Sequence, residues 1–474
     1  MRRTMRNLSL FLILACALAG CMVGPDYRRP LVDTPGAWRF EAGEAKDVVN
    51  TPWWKQFQDP VLDSLIESAL RENNDIEIAA ARVEEFLGRL RTTRAALFPQ
   101  VGAGALAQRI DVTRYTNPAW PPGTPNPYSD LKPYVNASWE IDLWGQLRRA
   151  TEAARADLLG TAEFRRGVVL TVVTAVAVAY TDLCDLDEQL EIAKRTVSSR
   201  ENSLSLFNLR FDRGLISELE LRQAESEYEA AKATVPLFEQ LIAEQENALD
   251  VLLGRNPGPI PRGRSLNELV LPDVPAGMPS QLLERRPDIR QAEQNLIAAN
   301  ARIGVAKAAY FPTITLTGLY GLESTELSTL FMGPARTWTY ALPITAPIFT
   351  AGAISGTVKT AEAIRKENLL KYRQTIQQAF SEVEDGLIDQ LKTREQLVAQ
   401  FRQVEALRDY ALLARLRYDN GYTSYLEVLD AERSLFAGEL SYAQTKGNLF
   451  RALVSLYKAM GGGWIVEAER LTAG

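Results

Sequence analysis

From Gln146 to Asp212 the chain runs without a proline, and Leu183, Leu190, Val197, Leu204 and Phe211 recur at heptad spacing within it. That is the period of a coiled-coil seam. A helix of this extent is on the order of 100 Å long at ~1.5 Å per residue, far more than an ordinary globular core needs. The heptad returns later as Val428, Leu435, Tyr442, Leu449 and Leu456. Beside it runs a stripe of Ala431, Gly438, Thr445, Ala452 and Ala459, small enough to let a neighbouring helix come close. Taken alone, these stretches fit a soluble coiled-coil rod equally well.

The segments between the helical runs argue against a rod. Val135, Ala137, Trp139, Ile141 and Leu143 alternate with Asn136, Ser138, Glu140 and Asp142. Ile314, Leu316, Tyr320 and Leu322 alternate with threonines, and so do Trp338, Tyr340, Leu342, Ile344 and Ile348. Period-two alternation with aromatic residues toward the ends fits outward-apolar strands of a membrane β-barrel, although a half-buried soluble sheet would alternate likewise. A Gly/Ala-rich segment after Pro99, ahead of a proline-rich loop from Asn117 to Pro133, suits a hairpin partner. Two hairpins make four strands, and about eight is the smallest number that closes a barrel. Lipid does not tolerate an open sheet edge. If these are membrane strands, several chains must share one barrel.

The chain also repeats itself. Arg210-Phe211-Asp212-Arg213-Gly214 and Ala224-Glu225 are echoed at a constant offset by Arg417-Tyr418-Asp419-Asn420-Gly421 and Ala431-Glu432. Ala95-Ala96-Leu97-Phe98-Pro99 is echoed by Ala308-Ala309-Tyr310-Phe311-Pro312, and Asp75-Ile76 by Asp288-Ile289. A period this long means two homologous halves, not a solenoid. The division expected is a signal peptide over 1–20, an extended lipidated segment over 21–59, a first repeat over 60–253, a linker over 254–279, a second repeat over 280–460, and a tail over 461–474. Each repeat reads as helix, strand, strand, long helix, helix, with the first helix running from about Pro60 to Leu97. The linker holds six prolines and four glycines and cannot be one helix. Gly167 to Thr181 is nearly all Val, Ala, Leu and Thr, but falls short of the ~20 residues that span a bilayer. It reads as helix buried among neighbours.

At the N-terminus, Arg2, Arg3 and Arg6 precede an apolar run from Leu8 to Leu18, as in a secretory signal. Leu18-Ala19-Gly20-Cys21 resembles a bacterial lipobox, in which the Cys sulfur receives a lipid; Met22 after it favours sorting to the outer membrane. The formal net charge is −6, and losing residues 1–20 removes three arginines and no acid. With no basic run or stripe, nucleic-acid binding is not expected.

Histidine is absent from all 474 residues. Imidazole bases, Ser-His and Cys-His nucleophile pairs and His-ligated zinc are therefore excluded. Of three cysteines only Cys184 lies in the body of the chain, so no internal disulfide forms there, and an unpaired buried thiol is expected. A carboxylate-only enzyme would have to nominate Asp212 and Asp419. Their matching places in a repeat, next to Gly214 and Gly421, suggest helix-turn tips with positive φ instead.

The lipobox, the duplicated halves, Ala-Ala-x-Phe-Pro before a strand, Leu282-Leu283-Glu284-Arg285-Arg286-Pro287-Asp288-Ile289 and Ala459-Met460-Gly461-Gly462-Gly463-Trp464 together resemble the outer-membrane factor (TolC-like) family. Asp142-Leu143-Trp144-Gly145 and Pro347-Ile348-Phe349-Thr350-Ala351-Gly352 are similar to its lipoprotein branch, typified by OprM. The resemblance covers nearly the whole mature chain. It implies a mixed α and β membrane protein. Three chains would form one twelve-stranded outer-membrane β-barrel, four strands each, continued by a long periplasmic α-helical barrel. The function it implies is the outer-membrane channel of a tripartite efflux system. Such a channel is a passive exit duct for drugs or other small toxic compounds, served by an inner-membrane RND-type pump and a periplasmic adaptor. It implies no enzyme activity, cofactor or resident metal. Protein secretion and metal-ion efflux are the alternative cargoes; six methionines and no Cys cluster disfavour a dedicated copper or silver route. Lipidation falls on Cys21. The matching Leu and Asp of that branch form the periplasmic constriction, which implies a gate of Leu426 and Asp430, spaced i, i+4 on one helical face. Ser424 departs from the Asn of that branch, so a hydrogen bond steadying the tip would be lost or changed.

Overall fold

The structure, a computed structural model, describes residues 22–40, 52–113, 115, 123, 125–272 and 279–462. Helices α1 (Pro60–Glu72) and α2 (Asn74–Ala95) lead into strands β1 (Gln100–Ile110) and β2 (Tyr128–Glu140). The 67-residue helix α3 (Gln146–Asp212) and the 35-residue helix α4 (Glu218–Leu252) follow. Next come α5 (Pro287–Ala308), β3 (Thr313–Leu322), β4 (Arg336–Ala341) and β5 (Ile344–Thr345). A 67-residue α6 (Ala353–Asp419) and a 35-residue α7 (Tyr425–Ala459) end the series. The chain divides into two compact units, Met1–Leu31, Val83–Thr161 and Ala292–Tyr372 in one, and Val32–Arg82, Ala162–Gln291 and Arg373–Gly474 in the other.

The first unit holds an antiparallel sheet in the order β1-β2-β3-β4, with β5 continuing the β3 pairing beyond β4. Its helices meet through small residues: Ala153 and Ala156 of α3 bury against Ala298 and Ala301 of α5. Residues 22–31 lie along these helices without regular structure. Arg149, 2% exposed, pairs with Asp26 at 2.6 Å and Glu152 at 2.8 Å. Asn300 donates to the Pro25 carbonyl, and the Tyr27 hydroxyl donates to Glu293.

The second unit has the main apolar core, built from Trp53 and Phe57, Leu62 and Ile66 of α1, Val173 and Tyr180 of α3, and Phe450 and Tyr457 of α7. Trp53 stacks on Tyr457 with ring centroids 5.0 Å apart. Asp59, fully buried, caps α1 through the Val61 amide at 2.8 Å. It also accepts from the Tyr180 hydroxyl at 2.8 Å and the Arg264 amide at 3.0 Å. These donors offset the cost of a buried carboxylate and pin the proline-rich linker to α1. Cys184 is a buried free thiol, and burial pushes it up to about 12, far from a reactive thiolate. By length and composition α3 as a whole could cross a membrane, but 67% of its most apolar 18-residue stretch is buried, as expected for that stretch.

Four local expectations change. The helix expected from Pro60 to Leu97 breaks at Asn73, whose side chain accepts from the Asp75 and Ile76 amides and donates to the Leu252 carbonyl. Pro133, placed in a loop, lies inside β2. Its missing N–H falls between the β2–β3 ladder, which begins at Tyr134↔Gly321, and the separate bridge Leu131↔Ser324. The alternation from Trp338 to Ile348 is not one strand, because Pro343 separates β4 from β5 and Ile348 is outside both. On α3 the buried apolar positions past Cys184 are Ile192, Ala193 and Phe207, while Phe211 of the expected seam is 38% exposed. A strict heptad drifts about 20° per repeat around a straight helix.

Candidate functional site

The β-sheet has two chemically distinct faces, fixed by register. Ala103, Val135, Tyr320 and Trp338 stand in one row across the four strands. Val101, Ala137, Gly318 and Tyr340 form the next row on the same face. The opposite face collects Gln108, Asp130, Lys132, Asn136, Ser138 and the threonines of β3 and β4. Successive side chains point to opposite sides of a strand, so the sequence alternation becomes one apolar and one polar surface. Among the described residues β1 pairs only with β2, and β4 only with β3. Gly104 and Gly321 make room for Tyr134 between them; a Cβ on Gly104 would sit 2.8 Å from its ring.

Where strands pass into helices, aromatic side chains gather. Trp144 stacks on Phe311 at 4.6 Å and donates to the Pro312 carbonyl. Trp139 donates to the Leu97 carbonyl. Asp142 ends the alternating stretch by accepting from the Leu147 and Arg148 amides, capping α3. The Val23 amide donates to the Trp144 carbonyl, and Met22 lies against Gly145.

At the far ends of α3 and α6 the two repeat turns are built alike. Gly214 has φ 65° and Gly421 φ 74°. The Leu215 amide donates to the Arg210 carbonyl and the Tyr422 amide to the Arg417 carbonyl, each at 2.9 Å, the wrap that closes a helix on a left-handed residue. Ser217 and Glu220 then form a reciprocal capping box for α4. Ser424 makes no side-chain cap on α7; Thr423 bonds Glu427 instead, and Arg417 pairs with Glu427 at 2.8 Å.

The tips are joined by contacts that spacing did not suggest. Phe207 of α3 packs on Tyr425 of α7 at 4.2 Å and stacks over Tyr418 of α6. Glu227 of α4, 8% exposed at its side chain, pairs with Arg200 of α3 at 3.0 Å and with Arg433 of α7. Glu439 of α7 holds Arg195 of α3 at 2.8 Å and Arg408 of α6 at 3.0 Å. The bond to Glu227 raises the Arg433 guanidinium further above its ordinary range. Glu432, facing Arg415, Arg200 and Glu227, is pushed up mainly by burial. Only residue-by-residue complementarity marks these partners, and it cannot be read at such separations.

Leu426 is 59% exposed, and Asp430, one turn on, is exposed as well. Asp430 accepts from the Tyr410 hydroxyl at 3.1 Å. Asp419 is taken up by Arg415 at 3.4 Å and Arg210 at 3.7 Å, so it ties the tips together. Among the described residues no group of three or more His, Cys, Asp or Glu could hold a metal ion. Cys21 lies outside the described residues.

The family model described as "Outer membrane efflux protein" matches residues 65–255 and 278–462. The toluene efflux pump outer membrane protein TtgF of Pseudomonas putida is 37% identical, over 99% of this chain and 100% of its own. The cation efflux system protein CusC of Escherichia coli is 35% identical, over 95% of this chain and 97% of its own. The solved outer-membrane channel OprN superposes with a TM-score of 0.87 at 30% identity, covering 94% of this chain and 100% of that one. The chain therefore belongs to the outer membrane efflux protein family, as an outer-membrane efflux channel with a large periplasmic helical part, in a family of transport channels and not of enzymes.

Proposed function

We propose that three copies of this chain close one twelve-stranded barrel and one helical tunnel, and that the assembly is the passive exit duct of a tripartite efflux system. The observation that carries this reading is the sheet of β1 to β4, apolar on one face and open at both edges. Four strands cannot close alone, and each unpaired backbone group in lipid costs several kcal/mol. Pairing β4 of one chain with β1 of the next removes both edges at once. A periplasmic adaptor and an inner-membrane RND-type pump deliver the cargo. Small toxic organic compounds are the cargo supported by the name of the toluene-pump relative.

Cys21 carries a lipid. Met22 and Val23 lie at Gly145 and Trp144, where β2 gives way to α3, so the acyl chains enter the leaflet nearer the helices. Leu426 and Asp430 form the resting constriction, their exposure and shared helical face being what such a role requires.

Deletion of the gene, followed by a susceptibility panel of solvents, drugs, dyes, detergents, copper and silver, tests the function. Increased susceptibility to several organic compounds is expected. Sensitivity to metals alone would shift the reading to metal-ion efflux, the cargo named for the cation-system relative. No change across the panel would overturn small-molecule efflux and favour protein secretion.

A further inference from the structure

On the apolar face of β1 to β4 the charged residues are two, and both are arginines. Arg109 stands opposite Ser129 on the face of Ala103 and Ala107, and Arg336 opposite Leu322 on the face of Trp338 and Tyr340. Acidic side chains of these strands and Lys132 point the other way; Lys132 pairs with Glu323 at 2.9 Å. Arg109 and Arg336 are exposed, and neither makes an ion pair with another described residue. Arg109 is the next-to-last residue of β1, and Arg336 is the first of β4. Both therefore mark the loop end of the sheet, the end away from the helices.

A guanidinium on a lipid-facing surface is costly unless it reaches the interface, and a long side chain at a strand end does so. Arginine also matches phosphate oxygens with a planar, two-pronged set of donors. The loop end of an outer-membrane barrel faces the outer leaflet, whose glycolipid carries phosphates. If β4 pairs with β1 of the next chain, as in the trimer proposed above, Arg336 and the neighbour's Arg109 stand on adjacent strands toward the loop end. Within one chain Thr337, next to Arg336, shares its row with Gly104 of β1, so the two arginines are set apart along the strands. We infer that each seam between subunits binds the phosphates of the outer-leaflet glycolipid through these two arginines, with the acyl chains lying on the apolar face beside Trp338. The inference rests on the trimeric reading. It adds a specific lipid site that neither the barrel nor the efflux role requires.

Native mass spectrometry of the full-length protein, released from micelles with added lipid, tests it. The probes are bisphosphorylated lipid A, its dephosphorylated form, phosphatidylglycerol and inorganic phosphate. Up to three bisphosphorylated lipids per trimer are expected, retained roughly tenfold better than the dephosphorylated form. Arg109→Gln with Arg336→Gln should abolish that preference, whereas Lys132→Gln, on the polar face, should keep it. Equal retention of both lipid A forms by the wild type, or an unchanged preference in the double variant, would overturn the site. Phosphatidylglycerol or free phosphate competing as well as lipid A would overturn the glycolipid assignment. The same spectra report mass: monomers alone would remove the trimer, and the seam site with it, whereas trimers without lipid preference remove only the site.

Discussion

Glu432 shows how burial and charge compete within a tip. Its carboxyl faces Arg415 and Arg200, which favour ionisation, and Glu227, which opposes it; burial outweighs them and raises its pKa. An acid whose folded value lies above its unfolded value binds more protons when folded. Stability therefore falls as pH rises from the ordinary carboxylate range to the raised value, and the loss persists above it. Glu432→Gln is expected to melt higher than wild type at neutral pH, with the two curves converging in acid; a neutral-pH melting temperature at or below wild type contradicts this. Nothing in the sequence singles out Glu432, because its echo Glu225 is exposed and pairs along its own helix with Arg222. Equivalent residues of a repeat fall into different surroundings. For the same reason the Glu227–Arg433 pair, which joins α4 to α7, is invisible to periodicity.

Elements were more legible than their joints. The proline-free run allowed a long helix, and its ends were marked by other residues: Asp142 and Gly145 stop the strand before α3, and Gly214 closes its far end. The alternating segments gave strand faces, because a period of two survives any register. Asn73 stayed hidden because it breaks a periodic apolar pattern with a cap and not with proline or glycine. Gly214 and Gly421 were readable through their repeated place after a long helix. A Cβ on either would meet no atom, so its cost is backbone strain alone. Gly421→Ala should destabilise its tip by about 1–2 kcal/mol, the cost of a left-handed conformation in an L-residue. Limited trypsin digestion should cut faster at Arg417 in the variant than in wild type; equal rates would show that the turn does not depend on the left-handed glycine.

At the scale of the whole molecule, anchoring and gating separate. A single acyl chain binds membranes only marginally, whereas a closed barrel buries far more apolar surface. Cys21→Ser behind a cleavable signal is therefore expected to give trimers in the outer membrane; a soluble periplasmic monomer would contradict the barrel. A permanently open duct would let toxic compounds flow inward, so the resting tunnel has to narrow at one end. At this tip Arg417 of α6 is engaged by Glu427 and Arg433 of α7 by Glu227, leaving Asp430 with a neutral hydroxyl from Tyr410. Three such carboxylates around an axis would attract cations and repel anions, and three Leu426 side chains one turn earlier would exclude water by apolar contact. Leu426→Ala with Asp430→Ala removes both barriers. Neither side chain is buried in the subunit, so assembly should survive. In planar bilayers the double variant should conduct severalfold more than wild type at rest and lose cation preference, whereas Asp430→Asn alone should change the preference more than the conductance. Properly assembled trimers of the double variant conducting like wild type would place the constriction elsewhere along the tunnel.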